Sequence, residues 1–406
     1  MTAAGKGDPP PVEPDTEELT EGRILLLAVA SAIVTANAYY IHPIIGRVAE
    51  SFSVSASLVG AVPAFNQVAL AVGIFFLLPL GDRFNNRRLI TVFLLCQVVA
   101  LFVMAQAESF WTFVAASTVL GFFTISPYIL PAYASRRVGV ARLGHVTAML
   151  TAGVIAGVVL SRATSGIVGE YLGWRTIYWI AAVLMIASTL ALRRLLDGEE
   201  LDGRQPATDS YPALILSLIR LAPRYPHVLV SGVIQGLNFG IFLLMWMGIG
   251  LHLTSPAMNL GVDAVGYLSA FSLLNVFTTP RLGRWADRIG PRKARVIVAA
   301  VQVLGASTLL VAGASYWLLV VPIVITSVAG PMVDVTGRMT CLGEEAGIRT
   351  RLMSIYIILM FIGGGIGSWS GTIAYDLGGW TLTASLACLL SALALGLSLM
   401  AWRRDG

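Results

Sequence analysis

The sequence predicts an all-α membrane protein with twelve transmembrane helices in two six-helix, pseudo-symmetric bundles. Three observations lead there: the composition, the spacing of the apolar runs, and an internal duplication. Of 406 residues, 56% are hydrophobic and only 12% charged, with a mean hydropathy of +0.79. A soluble domain carries roughly a quarter charged residues, so this chain has too few ionic groups to cover a water-facing surface of its size. The charges gather in short clusters between long apolar runs, the pattern of repeated bilayer crossings.

Runs long enough for a hydrocarbon layer of about 30 Å fall near 24–42, 58–81, 89–107, 110–131, 144–169, 175–192, 227–251, 263–279, 294–314, 316–334, 352–375 and 380–401. The least marked separation is between the third and fourth, where only Glu108 and Ser109 signal a turn. An even count puts both termini on one side. All but three of the 27 basic residues lie in the tails or in loops on that side. The exceptions are Arg47 and Arg175 in opposite loops and Arg162 within a helix. By the positive-inside rule both termini are cytoplasmic, and the expected location is a bacterial cytoplasmic membrane. The net charge of +5 reflects this topology, not a nucleic-acid partner.

The implied organisation is a disordered tail (1–22, Pro-rich and acidic, with no signal-peptide core), a first bundle (23–192), a cytoplasmic linker (193–226), a second bundle (227–402) and a short tail (403–406). Within the linker, 211–221 has apolar residues at helical spacing, which reads equally as an amphipathic surface helix or a simple tether. The cysteines Cys96, Cys341 and Cys388 have no metal-ligand spacing.

The duplication is the most informative feature. The loop after the second helix reads Gly81-Asp82-Arg83-Phe84-Asn85-Asn86-Arg87-Arg88. The loop after the eighth reads Gly283-Arg284-Trp285-Ala286-Asp287-Arg288-Ile289-Gly290-Pro291-Arg292-Lys293. Aligning Asp82 with Asp287 gives an offset of 205, which also carries Ser165-Gly166 onto Ser370-Gly371. Parallel duplication is a known transporter architecture with the solute site between the halves.

The second copy resembles, almost letter for letter, the major facilitator signature Gly-x-x-x-Asp-Arg-x-Gly-x-Arg-Lys. The first copy departs from it: Leu78 stands where the first Gly is expected and Asn85 replaces the second. Asn37-Ala38-Tyr39-Tyr40-Ile41-His42-Pro43, Ser161 to Gly166, Gly173-Trp174-Arg175 and Gly363 to Ser368 are similar to a bacterial efflux-type branch of arabinose- or drug-efflux-like permeases. That resemblance implies a latch that holds the cytoplasmic ends of the halves together and breaks on inward opening. By position its members are Asp82, Arg83, Arg87, Arg88, Gly283, Asp287, Arg288, Gly290, Arg292 and Lys293. A carboxylate there can accept from free N–H groups at a neighbouring helix start. The bland alternative is a set of topogenic charges in a tight turn.

Arg162 is the sharpest single residue. It lies about eighteen residues into the fifth run, roughly 27 Å along a helix, within snorkelling reach of the outer side. Intramembrane charges generally face a cavity or a partner, so Arg162 is a candidate for an anionic substrate group, against a structural charge bonded to backbone carbonyls. In the antiporter motif of other branches this position is Pro, so that motif's meaning does not carry over intact. Other cavity candidates are Asn37, Tyr40 and His42, taken to end the first helix, with Asn66, Gln67, Tyr128, Gln235, Asn238, Trp246 and Asn275. Interhelical hydrogen bonding is the competing role for each of the polar ones. His42 and Asp334 are the candidates for proton coupling, with an Asp334–Arg338 ion pair as the alternative.

No P-loop, dinucleotide fingerprint, paired carboxylates or metal-ligand cluster is present. No enzymatic activity and no cofactor are expected. The partners are a small-molecule substrate, protons and the bilayer, with the chain acting as a monomer. Three functions fit: proton-coupled efflux of a small amphipathic or drug-like molecule, import or facilitated passage of a small organic anion, and a non-transporting membrane sensor.

Overall fold

The computed structural model describes residues 19–135, 137–196 and 210–404. Residues 1–18 of the tail expected to be disordered (1–22) and the polar middle of the linker lie outside these residues, while Leu19 is buried and Glu21 and Gly22 are already helical. The described residues contain sixteen α-helices and no strand. In the first half these are α1 (Glu21–Ala36), α2 (Ile41–Ser51), α3 (Ala56–Val59), α4 (Ala61–Leu77), α5 (Asn86–Gln106), α6 (Phe110–Phe123), α7 (Ser126–Ser135), α8 (Val140–Tyr171) and α9 (Trp174–Leu195). The linker holds α10 (Tyr211–Leu221). The second half has α11 (Pro226–Leu253), α12 (Val262–Ser269), α13 (Leu274–Ile289), α14 (Pro291–Ala312), α15 (Val320–Leu342) and α16 (Ala346–Arg404).

Ten helical stretches are long and apolar enough to cross a bilayer. One of them, Gly347–Arg403, contains two crossings, because Gly378 and Gly379 leave helical geometry inside α16. The remaining crossing is the segmented α12–α13. Crossing one is α1 with α2, crossing two is α3 with α4, and crossing four is α6 with α7. The ends follow local chemistry. Thr20, Ser55, Asn85 and Ser210 accept backbone N–H bonds at the starts of α1, α3, α5 and α10. Gly173, Gly290 and Gly379 turn with φ of 84°, 90° and 60°, open without strain only to glycine.

The halves repeat one packing pattern. In the first, α8 lies on α1, α6 on α4 and α9 on α5. In the second, α16 lies on α11, α15 on α13, and the end of α16 on α14 through Trp380 Nε1, which donates to the Leu309 carbonyl at 2.8 Å. A Cβ on Gly367 would strike the Gly240 backbone, so α11 and α16 touch main chain to main chain.

We call the face bearing both ends of the described chain the basic face. The halves meet toward the opposite face, where α8 crosses α12, α3 and α4 meet α16, and α2 meets α11. Trp369 Nε1 donates to the Ser57 carbonyl at 3.0 Å, and the Glu170 carboxylate accepts from the Val262 N–H at 2.9 Å. Gly166 and Gly266 let α8 and α12 approach: a Cβ on Gly166 would sit 2.8 Å from the Val262 carbonyl. Toward the basic face, α13 packs on α14 and α15 of its own half and exposes Leu274 and Phe277.

Several element ends differ from the sequence reading. The first crossing does not end at His42: it breaks after Ala36 and resumes as α2, placing Arg47 on a helix. The eighth runs to Ile289, so Gly283, Arg284, Asp287 and Arg288 are helical and only Gly290 makes the turn. The ninth begins at Pro291 and so takes in Arg292 and Lys293 as well as Arg295, and the tenth extends past Asp334 to Leu342 and takes in Arg338 and Cys341. Charges had been taken to mark loops. Here long arginine stems continue the helices while their heads find polar partners.

Candidate functional site

The break in the first crossing builds the site. Pro43 sits in the first turn of α2, where its missing N–H costs nothing, and its ring excludes the bond to the Tyr39 carbonyl that a continuous helix would need. That carbonyl instead accepts from the His42 N–H at 3.2 Å. The turn buries Asn37, Tyr39, Tyr40 and His42. Opposite, the unbroken 32-residue α8 presents Arg162.

Arg162 is 0% exposed, which corrects the snorkelling expectation. Its Nε donates to His42 Nδ1 at 3.1 Å, which leaves the neutral His42 ring its hydrogen on Nε2. The guanidinium carbon lies 4.3 Å from the Trp246 ring centroid, 4.7 Å from Phe242 and 5.4 Å from Tyr39. Tyr39 meets His42 edge-on at 5.2 Å. Neither Nη1 nor Nη2 of Arg162 has a hydrogen-bond partner among the described residues, and no carboxylate there pairs with it. His42 Nε2, Trp246 Nε1 and both amide atoms of Asn37 are buried and unpartnered among the same residues. A buried charge without a counter-charge costs several kcal/mol; the three rings, at about 2 kcal/mol each when desolvated, offset that cost but supply no hydrogen-bond acceptor to the Nη groups. The site is therefore short of negative charge.

The sequence reading singled out Arg162, His42 and Trp246 separately and did not join them. It missed Tyr39 and Phe242 as site residues. The one available signal was the polar-aromatic run before Pro43.

The other cavity candidates divide. Asn66 is a packing residue: its Nδ2 donates to the Ser117 carbonyl at 2.8 Å and ties α4 to α6. Asn238 Nδ2 donates to Gln235 Oε1 at 3.0 Å and to the Gly330 carbonyl at 3.1 Å, linking α11 to α15. Gln67 is fully buried with its amide unpartnered among the described residues, as is Oδ1 of Asn275. Tyr128 meets Phe361 edge-on across the halves at 6.0 Å. Tyr40 sits in the core of the first half.

Asp334 belongs to a separate closed centre. Its Oδ2 accepts from Arg338 Nε at 2.9 Å and its Oδ1 from the Tyr356 hydroxyl at 3.0 Å, so this carboxylate and cation satisfy each other.

At the basic face the two signature copies have different shapes. In the second, Asp287, Arg288 and Lys293 are exposed, and Asp287 forms no ion pair among the described residues. Gly290, Arg292 and Lys293 border a cleft of about 700 Å³ that also contains His227 and Glu344, joined at 2.8 Å. In the first, a 3₁₀ turn at Leu78–Asp82 leads to Asn85, whose Oδ1 accepts from the Arg88 N–H at 3.3 Å. Arg83 and Arg87 are half-buried and Arg88 is exposed, while the Asp82 side chain lies outside what is described.

Comparison with known sequences settles the family, since residues 27–347 and 228–405 match the profile of the Major Facilitator Superfamily. The chain belongs to that superfamily. Among its relatives, the "Uncharacterized transporter YgaY" of Escherichia coli O157:H7 is 26% identical over 387 residues, covering 95% of this chain and 96% of its own. "Multidrug resistance protein MdtG" of Klebsiella pneumoniae is 25% identical over 236 residues, covering 55% of this chain and 54% of its own. In structure, the chain is similar to a bacterial homologue of the human lysosomal transporter Spinster, inward-facing and occupied, with TM-score 0.74 at 14% identity, covering 94% of this chain and 96% of that one. The Major Facilitator fold and a membrane transporter's function class follow. Within that fold, the Arg162 cluster lies at the seam between the halves.

Proposed function

We propose that this protein is a monomeric secondary transporter of a bacterial cytoplasmic membrane that exports a small amphipathic or drug-like molecule in exchange for protons. The observation that carries this reading is the asymmetry of the seam. The halves are close-packed on one face, while on the basic face Asp287 stands exposed without an ion pair among the described residues. Taking the basic face as cytoplasmic, this is an inward-facing state. The second signature copy latches when that face closes and the opposite face opens. Buried Asn37, Gln67, Met245 and Trp246 near the seam suit a moderately apolar cargo, and the likeness to a protein named for multidrug resistance supports the outward direction. Of the two coupling candidates, His42 is favoured, because Asp334 is held by Arg338 and Tyr356. α10, with Leu216 and Ile219 exposed, rests on the membrane surface.

Energised cells preloaded with amphipathic dyes, neutral and anionic, test the proposal. Expressing cells should lose dye faster than vector controls, and collapsing the proton gradient should remove the difference. Equal loss across a broad compound panel would favour a sensor.

A further inference from the structure

We infer that Arg162 is the recognition point for an organic monoanion: a carboxylate carried on a flat apolar body. The inference rests on the transport reading above and names the chemistry of the cargo.

The guanidinium is fully buried, uses only its Nε, and leaves both Nη groups without partners among the described residues. Those two groups form the planar fork that grips a carboxylate with two parallel bonds. The other buried arginine among the described residues, Arg295, donates to the Ser231 hydroxyl at 2.7 Å, and the half-buried Arg338 already has its carboxylate in Asp334. Around Arg162 the unmet groups are mostly donors, His42 Nε2 and Trp246 Nε1 among them, so the site lacks acceptors as well as negative charge. A single negative charge balances it; a dianion would leave one charge unmatched in a low-dielectric seam. An organic cation would face direct repulsion.

The rings supply the second half of the recognition. Tyr39 and His42 belong to the same half as Arg162, whereas Phe242 and Trp246 come from α11 of the other. When the halves part on the face opposite the basic one, Phe242 and Trp246 withdraw and the fork opens between them. A flat apolar body then lies between rings that had covered the guanidinium, with its carboxylate on Nη1 and Nη2. The rings thus hold the cation while the seam is closed, and the cargo replaces them as it opens. An exported molecule meets Arg162 just before release.

The experiment compares 1-naphthoate with its neutral isostere 1-naphthamide, using full-length protein both purified in nanodiscs and in proteoliposomes. Wild-type protein should bind naphthoate about tenfold or more tighter than naphthamide, the range expected for charge-assisted hydrogen bonds. Arg162→Gln should erase that preference, so that the two probes bind alike, while Arg162→Lys should keep part of it. Equal binding of the two probes by the wild type, or an unchanged naphthoate preference in Arg162→Gln, overturns the inference. If Arg162→Gln does not fold, the wild-type probe comparison and Arg162→Lys still decide it. Tight naphthoate binding without flux leaves the anion site standing and removes the transport reading instead.

Discussion

Arg162 and Gly367 occupy the same place in the two halves, 205 residues apart, the offset that also aligns Asp82 with Asp287. In the second half, Gly367 lets α16 lie directly on Gly240 of an uninterrupted α11. In the first half, the partner crossing breaks at residues 37–40, and the room released is filled by a guanidinium instead of a backbone. One fold position thus serves rigid packing in one half and a polar socket in the other. A duplicated transporter need not use its halves alike: a helix break and one large side chain are enough to divide the tasks.

The comparison can be broken most forcefully by making the halves equal. Gly367→Arg should abolish folding, because no side chain fits against the Gly240 backbone, and fluorescence-detected size exclusion should show no monodisperse peak. A well-folded variant would mean that the α11–α16 contact is not the rigid element it looks to be. Next in size is Arg338→Gln, which leaves the Asp334 carboxylate with Tyr356 alone. Losing this half-buried, charge-assisted bond should cost about 1.5–3 kcal/mol, seen as a lowered unfolding midpoint in detergent. A third test moves the first signature copy's residue into the second. Gly290→Asn forces φ near 90° on a side chain, at about 1–3 kcal/mol, whereas the reverse change Asn85→Gly should cost only a few tenths. Thermal unfolding of the two reads both values. The smallest effect is expected at Arg162→Met, where the lost His42 bond and ring contacts are offset by relief of an unpaired charge. Its unfolding midpoint should match wild type, in contrast to Arg338→Gln. A large drop would mark Arg162 as structural.

Much of this was legible in the sequence, for identifiable reasons. Twelve apolar runs and the two Asp-Arg signatures are local patterns, and they predict the crossings and the duplication directly. Arg162 stood out because a charge inside an apolar run is costly wherever it points. Its partners were illegible: His42 is 120 residues away and Trp246 comes from the other half, so only folding brings them together. The break in crossing one was hidden for a related reason. Asn37 to His42 reads as the polar end of a helix, and only the burial of α2 shows that the chain continues. Arg295 and Arg338 were assigned to loops because charge patterning cannot tell a loop from a helix end whose arginine heads are bonded inward, Arg295 to Ser231 at 2.7 Å and Arg338 to Asp334.

The Gly378–Gly379 break has a mechanical consequence. Only two residues leave helical geometry between the eleventh and twelfth crossings, so the helices on either side form a hairpin with almost no slack. Trp380 clamps its far arm to α14, and Trp369 ties its near arm to the first half at Ser57. Any tilt that pulls Trp369 from Ser57 is passed through this short elbow to α14. The far side of the bundle is thereby geared to the seam, and an insertion at residues 378–379 should disengage it while leaving each helix intact.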